Sequence, residues 1–236
     1  MQPILLAGFP LGSSLGLVMA LEWLGQPYRL SRVEMPNDML TNAYGRLNGR
    51  RETPVLVTAD GALTETMAIA LWLETRDRER RISFEPGSRR ADRLHQYMGF
   101  LNSSFTSAFS PLWTALEIED VSDEVRETLR TYGRAAVAKR HQQLEAMIDD
   151  NRYLLGDRPT LADAMFVGVA RWADFHQAID PADFPRLRAL KERLEGDPAF
   201  GFAKSIEDGR PASGSGAMAG LVTLDEAIGE ALALAA

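Results

Sequence analysis

The sequence predicts an α/β domain of order β-α-β-α-β-β-α followed by an all-α domain. Three observations carry this reading. Short β-rich runs alternate with helical patterns over roughly the first 80 residues. Beyond residue 90 strand signals disappear and apolar residues recur at helical spacing. The stretch 53–66 joins the two kinds of pattern, with a proline opening a β-branched run, an Asp-Gly turn, and an acid and a hydroxyl where a helix begins.

Ile4, Leu5, Leu6 and Ala7 form a short apolar run that fits a buried strand. Residues 9–14 break it, and Leu15, Leu17, Val18, Met19, Leu21 and Leu24 support a helix ending at Gly25, a residue suited to the left-handed position after a helix. Residues 28–33 alternate as a half-buried strand should, and a short helix is expected near residues 39–47. Val55, Leu56 and Val57 read as a strand, Asp60 and Gly61 as a tight turn, Ala62 and Leu63 as its return, and residues 67–73 as a helix. Residues 76–90 are charged, contain Pro86 and Gly87, and are read as the inter-domain linker; the run 76–81 reads as a solvated face.

In the second half a helix is expected over 91–116, kinked or ended by Pro111, and another over 123–150. Thr160 and Asp163 resemble a capping box before an almost wholly apolar helix at 164–175, the kind that sits at a domain's centre. Asp163 is read as structural, a cap worth about 1 kcal/mol. Shorter helices are expected at 184–194 and 198–206. Residues 210–220, rich in Gly, Ser and Ala, read as a flexible linker. A final amphipathic helix over 223–234 opens on the capping box Thr223/Glu226. The expected units are therefore 1–82, 83–209 and 210–236.

Composition bounds the function. The 236 residues carry a net charge of −7 with a pI near 5.1, which disfavours nucleic acid or an anionic membrane as the main partner. There is no cysteine, so disulfides, thiolate metal sites and a protein thiol nucleophile are excluded. No apolar run approaches a membrane span and no secretory signal pattern opens the chain, so a cytoplasmic location is expected. His95, His141 and His176 are widely spaced, and no metal site is expected.

The chemistry of residues 53–66 follows from local geometry. A cis Thr53–Pro54 bond would turn the backbone of Thr53 outward to pair with an extended peptide. Glu65 and Thr66 stand at a helix N-terminus, where free N–H groups face any nearby anion. A ligand carrying both an ammonium and a carboxylate suits this corner: Glu65 takes the first, Thr66 and the helix N–H groups the second. The plainer alternative is that Thr64 or Thr66 caps the helix and Glu65 complements its dipole.

These motifs, in this order, resemble the glutathione transferases, from about residue 2 to 205. Residues 53–56 (TPVL) match the family's cis-proline motif, residues 63–69 (LTETMAI) its L-T-E-S-x-A-I motif with Thr66 for Ser, and residues 153–164 its helical-domain signature. Residues 108–112 (AFSPL) and 171–173 (RWA) look most like the bacterial beta class. The resemblance implies a thioredoxin-like domain followed by a helical one. It implies reduced glutathione as co-substrate, with Thr53 and Pro54 facing its cysteinyl part and Glu65 and Thr66 its γ-glutamyl end. A homodimer is also implied. Among the arginines near this stretch, Arg50 is a candidate for the glycine carboxylate. Phe105, Phe109 and Trp113 are candidates to line an apolar electrophile site, with core packing as the alternative.

The sequence departs from the beta class in places that bear on chemistry. Ser13 stands at the position of the class's cysteine, with Ser14 next; Ser13, then Ser14, are the candidates to donate a hydrogen bond to a glutathione thiolate, the alternative being a helix cap. Thr106 replaces an active-site histidine, and Glu52 precedes Thr53 where many members carry Gln or Lys. The leading expectation is conjugation of glutathione to a small apolar electrophile. The runner-up is a transferase-like binding or regulatory protein without strong catalysis.

Overall fold

The computed structural model describes residues 1–149 and 151–234. The N-terminal part follows the expected order: β1 (Ile4–Phe9), α1 (Ser14–Leu24), β2 (Tyr28–Glu34), α2 (Asn42–Leu47), β3 (Val55–Thr58), β4 (Gly61–Thr64) and α3 (Thr66–Arg76). The short helix expected near 39–47 is broken into a single 3₁₀ turn, Asp38–Leu40, and α2, because Thr41 adopts extended backbone and caps α2 by accepting the Tyr44 N–H. Gly25 closes α1 at φ 70°, the left-handed conformation that its missing Cβ permits.

In the connection after α3, Arg78, Glu79 and Arg81 are exposed, as a solvated face should be, and Asp77 is the exception. Asp77 is buried, and its carboxylate accepts hydrogen bonds from Arg81 N–H, Ile82 N–H and the Ser83 hydroxyl. Arg158 ties the same turn to the second domain by donating to the carbonyls of Arg81 and Ser83. The charged composition marked solvent, yet one carboxylate satisfies three donors and draws the turn into the protein.

The helical part comprises α4 (Arg89–Phe100), α5 (Ser110–Glu117), α6 (Asp123–Met147), α7 (Leu161–Phe175), α8 (Pro185–Glu195) and α9 (Pro198–Glu207). The helix expected over 91–116 is interrupted by a π turn at Leu101–Phe105 and a 3₁₀ turn at Thr106–Phe109. Pro111 does not end it. It sits in the first turn of α5, where a missing N–H costs nothing. Residue 150, read as the end of the second long helix, lies outside the described residues. Helix α7 is the central one. Its N-terminal turn is closed by the fully buried Asp163, which accepts from Thr160 N–H, Thr160 Oγ1 and Leu154 N–H. Burial raises the Asp163 carboxyl to about 6, against the lowering effect of these donors.

Helices α1 and α7 cross at contact distance because both are glycine there. A Cβ on Gly16 would lie 1.9 Å from the Ala164 carbonyl oxygen, and one on Gly168 2.5 Å from that of Ser13. The two domains therefore share one apolar core running from Leu5 and Phe9 through α1 into Phe166 and Phe202.

The C-terminal segment differs most from expectation. Residues 210–220 read as a flexible linker, but Met218–Leu221 form β5, parallel to β2, giving the sheet order β4-β3-β1-β2-β5. The approach to β5 is held by Glu22, which accepts from Ser215 N–H (2.6 Å) and from the Tyr28 hydroxyl (2.7 Å). Glycine-rich composition signalled mobility; the edge of β2 offered unpaired backbone groups that this segment satisfies. Helix α10 (Leu224–Leu234) then crosses the sheet face opposite α1. Ala227, Ile228 and Ala231 pack on Ile4, Leu6, Val55, Val57 and Tyr44, and Glu230 pairs with Arg29 at its flank. Thr223 and Glu226 form the expected capping box.

Candidate active site at one end of the sheet

Strand register brings the candidate residues together. Leu6 pairs with Val55 in the antiparallel β1–β3 ladder, and Val55 pairs with Thr64 in β3–β4. The C-terminal end of β1, the N-terminal end of β3 and the C-terminal end of β4 therefore lie side by side. The N-termini of α1 and α3 open at that same end. The loop 9–13, Thr53–Pro54 and Glu65–Thr66 therefore gather at one corner of the sheet.

Gly8 is the hinge of this corner. Its N–H donates to Ser14 Oγ at 3.0 Å, and Ser14 Oγ donates back to the Gly8 carbonyl at 3.3 Å. A Cβ on Gly8 would fall 2.2 Å from Thr53 Oγ1, so only glycine lets Thr53 pack against β1 here. The Thr53–Pro54 bond is cis. Thr53 Oγ1 donates to Met35 Sδ at 3.3 Å. No hydrogen bond among the described residues engages the Thr53 backbone. Its position is fixed one residue upstream, where the Glu52 carbonyl accepts from the Tyr44 hydroxyl (2.7 Å) and Asn48 Nδ2 (2.8 Å). Burial, then the Glu52 charge, raise the Tyr44 phenol well above its ordinary value, so it remains a donor.

Glu65 has φ 74° and ψ 124°, a left-handed conformation that costs a non-glycine residue about 1–3 kcal/mol and is typical of ligand clamps. The sequence carried no sign of this backbone. Glu65 is exposed and ion-paired with Arg50, whose guanidinium also lies 3.1 Å from Glu52. Arg50 thus sits at the Glu65 corner. Thr66 opens α3, and the first N–H groups of that helix lack intrahelical acceptors.

The two serines separate cleanly. Ser14 is fully buried and its hydroxyl is consumed by Gly8 in both directions. It is a structural clasp and not a free donor. Ser13 is half-buried at the N-terminus of α1, makes no side-chain capping bond, and its hydroxyl has no hydrogen-bond partner among the described residues. Thr106 spends its hydroxyl on the Leu101 carbonyl at 2.8 Å.

Sequence reasoning missed what holds Ser13 in place. Arg171 Nη2 donates to the Gly12 carbonyl (2.9 Å) and Trp172 Nε1 to that of Leu11 (2.7 Å). Arg171 is itself buried against Glu207, with Nη1 to Oε1 at 2.8 Å and Nη2 to Oε2 at 2.7 Å. Burial pushes the Glu207 carboxyl up, and the Arg171 and Lys204 pairs more than reverse this, leaving it below its ordinary value. In the sequence the adjacent Arg-Trp pair is part of the family resemblance only; the available signal is a cation beside an indole in an almost wholly apolar helix.

The aromatic candidates divide as well. Phe105 and Phe109 are fully buried, with rings 6.0 Å apart, and belong to the core. Phe109 and Trp113 both stand edge-on to Trp172, at 5.6 and 5.4 Å, but of the three only Trp113 is half-buried and so open to a ligand. Among the described residues no cluster of three or more His, Asp or Glu side chains could hold a metal ion, and no helix is long and apolar enough to cross a membrane.

Comparison with known proteins decides the family. Models of the glutathione S-transferase N-terminal and C-terminal domains match residues 13–76 and 101–198. The chain belongs to the glutathione S-transferase family. It is 25% identical over 201 residues to the glutathione S-transferase GstA of Escherichia coli O157:H7, covering 84% of this chain and 96% of that protein. A sphingomonad glutathione S-transferase complexed with glutathione superposes with a TM-score of 0.73 at 25% identity, covering 87% of this chain and 98% of the other. The bacterial beta class enzyme of Sphingomonas chungbukensis shares the fold, with a TM-score of 0.72 at 24% identity over 88% of this chain and 98% of that one. Named relatives of this transferase-family chain are themselves glutathione S-transferases, and the thioredoxin-like domain followed by a helical domain is the fold they share with it.

Proposed function

We propose that this transferase-family chain binds reduced glutathione at the Thr53–Glu65 corner and joins its sulfur to a small apolar electrophile. The observation that carries this is the pairing of a free Ser13 hydroxyl at a helix N-terminus with an unengaged Thr53 backbone at the same sheet end. Thr53, beside Pro54, offers backbone hydrogen bonds to the cysteinyl residue. The γ-glutamyl ammonium displaces Arg50 from Glu65, and its carboxylate meets Thr66 and the N–H groups of α3. Arg50, released, pairs with a ligand carboxylate. The glutathione-bound sphingomonad relative supports this choice of ligand.

Ser13 donates to the sulfur. A free thiol ionises near ~8.5, and a donor plus a helix N-terminus lower that value. The thiolate attacks the electrophilic carbon, the C–S bond forms, the leaving group departs with its electron pair, and the thiol proton has already passed to solvent. Trp113 and Trp172 supply the apolar wall, since Phe105 and Phe109 are enclosed.

Ser13→Ala is expected to lower the conjugation rate at neutral pH about tenfold, the effect of one unit in the thiol pKa, with the KM for glutathione changed less than about twofold. The two enzymes converge above pH ~9, where the thiol ionises unaided. A pH–rate profile measures this; identical profiles would remove Ser13 from catalysis, whereas bound glutathione that forms no thiolate would favour the binding-protein reading. The same proposal includes a homodimer, with the first helices of the helical domain against the partner's N-terminal domain. Sedimentation at micromolar concentration is expected to give the dimer mass; a monomer would contradict it.

A further inference from the structure

A second cavity lies on the far side of the helical domain, among α6, α7 and α8, away from the Ser13 loop. Its volume is about 230 Å³. Phe166, Ala170, Ile179, Phe184 and Leu187 make its walls apolar, and His141 contributes the buried polar group. An apolar cavity of ~150 Å³ holds a benzene ring, and drug-sized ligands need ~300 Å³ or more, so this one suits a single ring.

His141 gives the cavity its chemistry. The residue is 3% exposed, with its ring 4.7 Å from that of Phe105 and 5.4 Å from that of Phe184. Burial lowers its pKa to about 4, against the raising effect of the Val137 carbonyl and nearby acids, so the ring is neutral at neutral pH. Nδ1 lies 2.9 Å from the Val137 carbonyl oxygen. A carbonyl only accepts, so Nδ1 carries the proton and Nε2 carries a lone pair. No donor among the described residues reaches that lone pair. A ligand hydroxyl can donate to it while the ring that carries the hydroxyl leaves water for the apolar walls.

The rim fixes the charge of the ligand. Lys191 is bound to Asp174 and Glu195, each at 2.8 Å, and Arg188 lies 3.8 Å from Glu192. Three carboxylates against two cations leave the mouth with one net negative charge, which disfavours an anion, and the apolar walls disfavour any charge. We propose that this cavity is a binding site for a small neutral phenol, its ring against Phe166 and Phe184 and its hydroxyl donated to His141 Nε2. The site shares no residue with the glutathione corner, so it stands whether or not the transferase reading does.

The test is imidazole ¹⁵N–¹H NMR of the full chain titrated with phenol and, separately, with anisole, which keeps the ring and loses the donor. Phenol is expected to move His141 Nε2 saturably while Nδ1 stays protonated, and anisole to bind at least about threefold more weakly, the net worth of one ordinary hydrogen bond. Ile179→Trp, which fills the cavity, is expected to abolish the phenol response and to leave glutathione binding unchanged. The absence of a saturable His141 response to phenol up to about 10 mM would overturn the proposal. So would equal affinity for anisole, or a phenol response that survives in Ile179→Trp. The first two arms use the unaltered protein, so they decide even if that variant folds poorly.

Discussion

Arg171→Leu is expected to lose about 3 kcal/mol of stability and most of the conjugating activity. Removing one partner of a buried ion pair costs roughly 3–5 kcal/mol because the other charge is left in a poor solvent. Here Glu207 keeps Lys204 as a partner at 3.0 Å, which places the loss at the lower end. Leucine also leaves the Gly12 carbonyl without its donor, and the loop carrying Ser13 loses one of its two ties to α7. Denaturant unfolding measures the first effect and steady-state rates the second. The pair has a pH signature. Glu207 has a folded pKa below its unfolded value, so its contribution is fully present above the ordinary carboxyl pKa and is lost as the pH falls through the lower, folded value. A variant as stable and as active as the parent would show that the loop is held by other means.

The second large effect is expected at the helix crossing. Gly16→Ala should destabilise the protein by about 2 kcal/mol or more, although alanine is the better helix former by ~0.5–1 kcal/mol. The new methyl would lie 1.9 Å from the Ala164 carbonyl oxygen, and that obstacle is backbone, so no side chain can rotate away. Overpacking of a close-packed core costs about 1–3 kcal/mol, and a clash with backbone belongs at the upper end. α1 and α7 must separate, which pulls Arg171 and Trp172 from the loop they hold. The expected result is a lower unfolding midpoint together with a reduced rate. Unchanged stability would mean that the crossing is looser than the geometry here.

How much of this was legible in the sequence depends on which physics governed each residue. The β-α-β-α-β-β-α order was readable because its signals are local: alternation in Tyr28–Glu34, the Asp60–Gly61 turn, Gly25 after α1. The Thr160–Asp163 cap and the Thr223–Glu226 cap were readable for the same reason. What was missed depended on distant partners. Asp77 looked solvated among charges, and is buried because three donors converge on it. Residues 218–220 looked like linker, and belong to a strand because β2 presented an open edge. At the site, the corner Thr53, Glu65 and Thr66 was legible as motif and helix-terminus chemistry, but the left-handed backbone of Glu65 was not. Ser13 and Ser14 are neighbours of one residue type; only their hydrogen bonds distinguish a clasp from a free hydroxyl. Phe105 and Phe109 share apolar character with Trp113, and burial alone separates core from wall.

The central claim is that this corner binds glutathione through Glu65, and calorimetric titration with reduced glutathione tests it most directly, run on the intact protein beside Glu65→Ala. Saturable binding by the intact protein, weakened by at least about tenfold in the variant, is the predicted result, since a charge-assisted hydrogen bond to an ammonium contributes roughly 1.5–3 kcal/mol. Binding of equal affinity in both proteins would remove Glu65 from the site. No binding by the intact protein would contradict the account, leaving the family fold without glutathione as its ligand.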